Sequence, residues 1–284
     1  MRKAAIICTM CVVILTTGFL QAKTKVSLKQ AFDKKIIKAK AVCKGGLELN
    51  YSVTNLLKDS LLIVIPAGWR FNSDAGKKDY QDILVAHEEV LALRAMETKN
   101  FEVKGYCCEA TKGGPVAGAP YTPGKLADSS LVQLARYLNA NKADKNAEQY
   151  SVWAISDHKE TANITSANDS LAALLRAFVA GIKGEPLPWY TLLKRARVTA
   201  MGDVQDQPVR FKADITYAVS KTCYSFCYIV DDKGNKVSGI FGTWLQPENT
   251  DYKASFNVAG LKKGEYRLIL ENKDSTLFER EFKI

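Results

Sequence analysis

Along this chain the spacing of hydrophobic positions changes twice, from every second residue to every third or fourth and back again. Ile37, Ala39, Ala41 and Cys43 alternate with Lys38, Lys40 and Val42, and Leu47, Leu49, Tyr51 and Val53 alternate with Glu48, Asn50 and Ser52. Lys44-Gly45-Gly46 turns the chain between the two runs. Successive strand residues face opposite sides, so the pattern predicts a β-hairpin with one apolar and one polar face. Leu61–Ile65 is continuously apolar and ends at Pro66-Ala67-Gly68, which predicts a strand buried more deeply than its neighbours. Further strands are expected at residues 81–87, 90–94 and 100–108, with 96–99 as a bend. Ser27 is placed to cap a short helical turn over Leu28–Asp33.

Residues 126–182 carry helical spacing. Leu131, Leu134, Ala135 and Leu138 recur at i, i+3, i+4 and i+7, and Leu171, Leu174, Leu175, Phe178 and Ile182 repeat the pattern. Between them residues 147–155 offer Tyr150, Trp153 and Ala154 for burial. Three amphipathic helices bury their stripes against one another or against a sheet. The stretch before them, 111–124, holds four glycines and three prolines and reads as a loop or linker. It lacks the Gly-Lys-Ser/Thr ending of a phosphate loop. Trp189, Leu192, Leu193 and Ala196 fit a short helical connector. From Arg210 the period returns to two: Ile215, Tyr217 and Val219 alternate with polar residues, as do Tyr224, Phe226, Tyr228 and Val230, and 231–235 is a strong turn signal. The fold class is therefore α+β and multidomain. The expected units are a β-sandwich over 23–110, a Gly/Pro-rich loop over 111–125, a helical module over 126–196 and a second β-sandwich over 209–284.

Arg2 and Lys3 precede an apolar run to Leu20, and Leu20-Gln21-Ala22 ends in a small residue. This predicts a secretory signal peptide over residues 1–22, cleaved near Ala22, and a secreted, periplasmic or cell-surface protein with no transmembrane segment after cleavage. The chain's formal charge is +10. Most of it sits in residues 23–44, with eight lysines against Asp33, and the rest of the mature chain is close to neutral. A nucleic-acid binder carries its basic face on the folded body, so nucleic acid is not an expected partner. The lysines read as a solvated edge, or as a contact for anionic lipid or polysaccharide.

Two stretches carry a resemblance. A strand ending in Val53-Thr54-Asn55, then 61–68, then Tyr80-Gln81-Asp82, then a Leu-rich strand and a polar bend, resembles the immunoglobulin-like modules of exported bacterial proteins. Tyr228-Ile229-Val230-Asp231 with Gly234, the Gly264-Glu265-Tyr266 strand entry and Lys283 beside the end resemble small C-terminal immunoglobulin-like domains. These include the flagellar hook-capping type and type IX secretion sorting domains. The resemblance implies a β-sandwich over 209–284 and, in the sorting version, cargo for the cell surface.

Chemistry-bearing residues are sparse. Cys43, Cys107, Cys108, Cys223 and Cys227 remain after the leader, an odd number. Cys223 and Cys227 lie roughly 13 Å apart along one strand, too far to bridge, whereas Cys43 and Cys107 share an inward phase and are the disulfide candidates. No Cys-x-x-Cys pair or histidine cluster suggests a metal, and nothing calls for a cofactor. Cys108, His158 and Asp157 supply a nucleophile, a base and an orienter, the residue types of acyl transfer, but no signature surrounds the cysteine. His87 beside Glu88 and Glu89 reads as a solvated turn. Trp69 and Trp244 fall in turn-like surroundings and are the ligand-binding candidates. The leading reading is a non-enzymatic exported envelope or surface protein in binding, adhesion or a structural role, with a glycan or a protein as partner. The alternative is a secreted cysteine-dependent hydrolase using Cys108, His158 and Asp157.

Overall fold

The computed structural model describes residues 24–74, 80–198 and 204–284; the expected leader lies outside the described residues. Strand β1 (Thr24–Ser27) runs straight into helix α1 (Leu28–Asp33) through a capping box. Ser27 Oγ accepts from the Gln30 N–H, and Gln30 Oε1 accepts from the Ser27 N–H. The hairpin forms as its pattern predicts, with β2 (Ile37–Gly45) antiparallel to β3 (Glu48–Asn55). β4 (Leu61–Ile65) sits between β1, which runs parallel to it, and the antiparallel β7 (Glu89–Leu93). β4 alternates, with Leu61, Ile63 and Ile65 buried and Leu62 and Val64 half-buried. The strand sealed on both faces is instead β6 (Ile83–Val85).

A second, seven-stranded sheet faces this one. Its remaining members are β5 (Trp69–Ser73), β8 (Thr98–Lys104), β9 (Tyr106–Cys107) and β10 (Pro120–Leu126), in the order β8-β3-β2-β10-β5-β6-β9. The two outermost strands, β8 and β9, are consecutive in sequence and separated only by Gly105. The sheet therefore curls until one stretch of chain serves both ends. Gly105 makes the crossing possible: a Cβ there would lie 2.4 Å from Ile83 Cγ2 and 2.5 Å from the Leu84 carbonyl oxygen.

β10 corrects the reading of 111–125 as a loop. Pro120 opens the strand, and Pro123 borders a register shift, the places where a residue without an N–H is tolerated. Gly124 packs closely on β5, where a Cβ would meet the Arg70 carbonyl oxygen at 2.8 Å. The N-terminal sheet thus takes a strand from beyond residue 110.

Helices α2 (Ser129–Ala140), α3 (Lys145–Ser156) and α4 (Asp169–Lys183) are capped by Asp128, Asp144 and Asn168, and α4 ends on Gly184 at φ 65°. They do not form a free-standing unit. Ile83 and Val85 of β6 point into the core between the sheets, whereas Leu84 joins Ala86, Tyr106, Cys107 and Cys108 in a second core with Leu131, Leu134, Trp153 and Leu175. The helices cover the outer face of one end of the curled sheet.

The helical connector expected at 189–196 is also a strand. β11 (Tyr190–Val198) pairs along its length with β12 (Val204–Thr216). Helical and strand spacing coincide over so few residues, and the long-range partner decides the outcome. β12 then pairs with β15 (Asp251–Asn257). The opposing sheet is β14 (Lys236–Leu245), β13 (Cys223–Val230), β16 (Glu265–Asn272) and β17 (Thr276–Lys283), in that order. Leu192, Phe211, Ile215 and Phe256 from one sheet meet Cys227, Ile229, Leu268 and Phe282 from the other in a third core. This sandwich begins at Tyr190, not at residue 209.

Candidate functional site

The alternation read in β13 holds only over its first half, with the other phase inward; from Cys227 to Val230 every residue is buried. Ser225, Cys227 and Ile229 are fully buried, while Tyr224 is 45 % and Phe226 39 % exposed. Both phases of this strand are apolar enough to line a core, so periodicity alone does not choose between them. The sheet packs on one side only. At the start of the strand the second phase is left as an aromatic pair, Tyr224 and Phe226, on the outer surface.

Across the ladder Tyr224 faces Trp244 and Phe226 faces Gly242 on β14. Trp244 is 65 % exposed, and its ring meets the Tyr224 ring edge-on with centroids 5.2 Å apart; Tyr224 and Phe226 meet likewise at 5.3 Å. Gly242 leaves room for this arrangement, because a Cβ would fall 2.0 Å from the Tyr224 hydroxyl oxygen. The Tyr224 side chain therefore lies across the neighbouring strand instead of standing up from its own. Tyr228, next on this phase, is buried beneath the Lys236 ammonium, 3.8 Å from the ring centroid. Burial, followed by a hydrogen bond to Glu271, pushes its hydroxyl up to about 12. Glu271 stands beside Phe226 on β16 and lies 3.9 Å from Lys236. The result is an exposed platform of three rings with a carboxylate and an ammonium at one side. Aromatic faces offer apolar area, and the charged groups offer hydrogen bonds at the margin.

The other ligand-binding candidate, Trp69, is placed differently. It is 3 % exposed on β5, in the core between the N-terminal sheets. The preceding Gly68, at φ 91°, turns the chain so that the indole points inward.

Among the described residues no hydrogen bond links Cys108, His158 and Asp157, the residues of the hydrolase reading, to one another. Cys108 is 1 % exposed, and burial pushes its thiol far above the ordinary range. Asp157 Oδ1 accepts from the Ala110 N–H at 2.8 Å and Oδ2 from the Ser156 hydroxyl at 2.6 Å. His158 is exposed at φ 53°, and no hydrogen bond among the described residues joins it to either partner. The charged groups beside Cys108 are Arg70, Asp82 and Glu109. Arg70 Nε donates to Asp82 at 2.8 Å, a second guanidinium nitrogen pairs with Glu109, and Glu109 accepts from the Asp82 N–H at 2.7 Å. This network fastens β5 and β6 to the chain after β9.

Cys43 and Cys107, the expected disulfide, are free thiols here, as are Cys108, Cys223 and Cys227. Cys43 belongs to the core between the sheets and Cys107 to the core beneath the helices. Burial pushes the Cys107 thiol up to about 12, well away from a reactive thiolate. What meets Cys107 is Gln149, which pattern reading passed over. Its carboxamide accepts from the Cys107 N–H at 3.0 Å and donates to the Cys107 carbonyl at 2.9 Å. In a strand the N–H and C=O of one residue share an edge, so Gln149 completes the edge of β9 that β6 does not use.

His87 is no isolated turn residue. Its Nε2 lies 2.8 Å from Glu148 Oε2, and Glu148, 1 % exposed, also accepts from the Ala143 N–H at 2.8 Å. The pair borders a cavity of about 210 Å³ between the sheet and α3, rimmed by Lys104, Lys142 and Lys145.

No family model matches the chain. No curated protein matches it either. Among solved structures, a biofilm associated protein BSP domain is similar over 87 % of this chain and 51 % of that chain, at 9 % identity and a TM-score of 0.21. The chain spans about half the length of that structure, and a likeness so slight defines neither fold nor function. Among the described residues no helix is long and apolar enough to cross a membrane.

Proposed function

We propose that the protein is an exported, non-enzymatic surface protein that binds carbohydrate on the Tyr224–Phe226–Trp244 platform. The observation that carries this reading is the outward phase of β13. Rings that the sandwich core has no room for stand together in water, where isolated apolar side chains are ordinary but a contiguous aromatic cluster marks a contact site. Sugar rings present C–H faces that stack on aromatic faces, and Glu271 is placed to accept from hydroxyl groups at the rim. Export rests on the basic, apolar and small-residue order of the first 22 residues. The immunoglobulin-like reading of the C-terminal module is supported by two facing antiparallel sheets with its third, sixth and seventh strands together, the fourth joining them instead of the sheet of the fifth. First, second and fifth strands form one sheet, and fourth, third, sixth and seventh form the other.

A glycan array probed with the mature chain tests the reading. Trp244→Ala is expected to weaken the strongest signal by roughly thirtyfold, about 2 kcal/mol, the range of an aromatic hot spot. Its unfolding midpoint should stay put, because an exposed ring contributes little to folding. An array on which the native chain and the variant give the same signals removes carbohydrate recognition from this face.

A further inference from the structure

Four lysines, Lys34, Lys35, Lys38 and Lys40, stand exposed within seven residues at the end of α1 and along β2. Lys34 and Lys35 follow α1, and Lys38 and Lys40 stand two residues apart on the exposed face of β2, so their Cα atoms lie roughly 7 Å apart along the strand. None of these four makes an ion pair among the described residues, whereas Lys29 pairs with Asp33 and Lys44 with Glu102. Lys35 holds φ 53°, the left-handed position after a helix that ordinarily goes to glycine. A lysine there occupies a backbone conformation that is unfavourable for any residue with a Cβ.

The nearest cross-strand neighbours on the same face are uncharged and polar, and the Lys44–Glu102 ion pair follows further along it. Lys38 is registered with Thr54 and Lys40 with Ser52; beyond them on β8 come Thr98 and Asn100. The Thr54 and Thr98 hydroxyls hydrogen-bond each other at 2.8 Å. The surface is thus a row of unpaired ammonium groups beside a table of hydroxyls and an amide. No large apolar side chain is exposed over residues 24–55. A membrane-binding surface combines its lysines with an apolar face that enters the lipid; the single exposed Met96 at the bend before β8 does not make such a face.

We infer that the Lys34–Lys35–Lys38–Lys40 surface binds an acidic polysaccharide of the uronate class, the ammonium groups pairing with its carboxylates and the β3–β8 hydroxyls and amide with its hydroxyls. This contact is separate from the aromatic platform. It is attractive along the polymer, so several weak exposed pairs act together, and salt screens it.

The experiment uses the mature chain with polygalacturonate as probe, neutral dextran as control, and phosphatidylcholine vesicles containing phosphatidylserine as a third arm. The native chain is expected to bind polygalacturonate at low ionic strength, to lose it as salt rises, and to ignore dextran. K38E/K40E should bind about tenfold more weakly or less, since each reversal removes one attraction and adds one repulsion. K262E/K263E makes the same change in net charge on the distant sandwich and should bind as the native chain does. Matching circular dichroism and unfolding midpoints for both variants exclude misfolding. Equal loss in the two variants, undiminished binding by K38E/K40E, binding to vesicles but not to polygalacturonate, or no binding at low salt would each overturn the inference. Trp244→Ala should bind polygalacturonate as the native chain does. Loss of that binding would place the contact on the platform and overturn the inference, whereas its loss of array signal bears on the platform alone.

Discussion

Replacing Gln149 by alanine removes a clamp whose worth can be worked from two hydrogen bonds. Both join its carboxamide to the Cys107 backbone, at 3.0 and 2.9 Å, on the open edge of β9. The variant leaves one N–H and one C=O without their partner. A fully buried orphan of this kind costs about 1–3 kcal/mol. Gln149 is only half-buried, so water reaches part of the gap, and the low end applies to each group. The expected loss is therefore roughly 2 kcal/mol, or a fall of about 4–8 °C in unfolding midpoint for a unit of this size. Gln149→Glu is the sharper version. At neutral pH its carboxylate still accepts from the Cys107 N–H but sets a second acceptor against the Cys107 carbonyl. Protonation restores a donor, so this variant should recover toward the native midpoint as the solution is acidified, while Gln149→Ala should not. Hydrogen exchange at the Cys107 amide reads the clamp locally and should speed up in Gln149→Ala, whereas Gln149→Glu keeps that N–H bonded. If Gln149→Ala leaves the midpoint and the Cys107 exchange rate unchanged, the carboxamide does not hold α3 to the sheet.

Two further outcomes are expected. Burial alone would raise the Asp144 carboxyl, but hydrogen bonds from Ser166, Ala147, Ala167 and Asn146 outweigh it and hold it below the ordinary value. A lowered folded-state value makes the contribution present above the unfolded pKa and lost as pH falls through the folded one. Asp144→Ala should thus destabilise by about 1 kcal/mol near neutrality and by almost nothing in strong acid, as read from denaturant titrations at several pH values. Gly105→Ala should destabilise the curled sheet by about 3 kcal/mol or more, since the new methyl meets the Leu84 carbonyl as well as the buried, β-branched Ile83. A calorimetric midpoint close to native for that variant would mean that β8 and β9 join without needing the close approach.

Much of this protein is decided by residues near one another in sequence. The β2–β3 hairpin follows from strict alternation around Gly45-Gly46. α1 follows from Ser27 and Gln30, and α2, α3 and α4 from their stripes and caps. Those elements need only local hydrogen bonds and one apolar face to be specified. The remainder depended on partners far along the chain. Pro120, Pro123 and Gly124 look like loop residues until β2 and β5 supply edges that tolerate a missing N–H and a missing side chain. Residues 190–198 become a strand because β12 lies ready to pair. The two phases of β13 are equally apolar, and only the stacking of one sheet on another put Cys227 and Ile229 inside and left Tyr224 and Phe226 with Trp244 in water. Likewise the meeting of Gln149 with Cys107, and the burial of Cys108, are set by how the helices lie on the curled sheet. Local pattern carries the energetics of single elements; which faces touch is a property of the packed whole, and in this protein that property determines the candidate site.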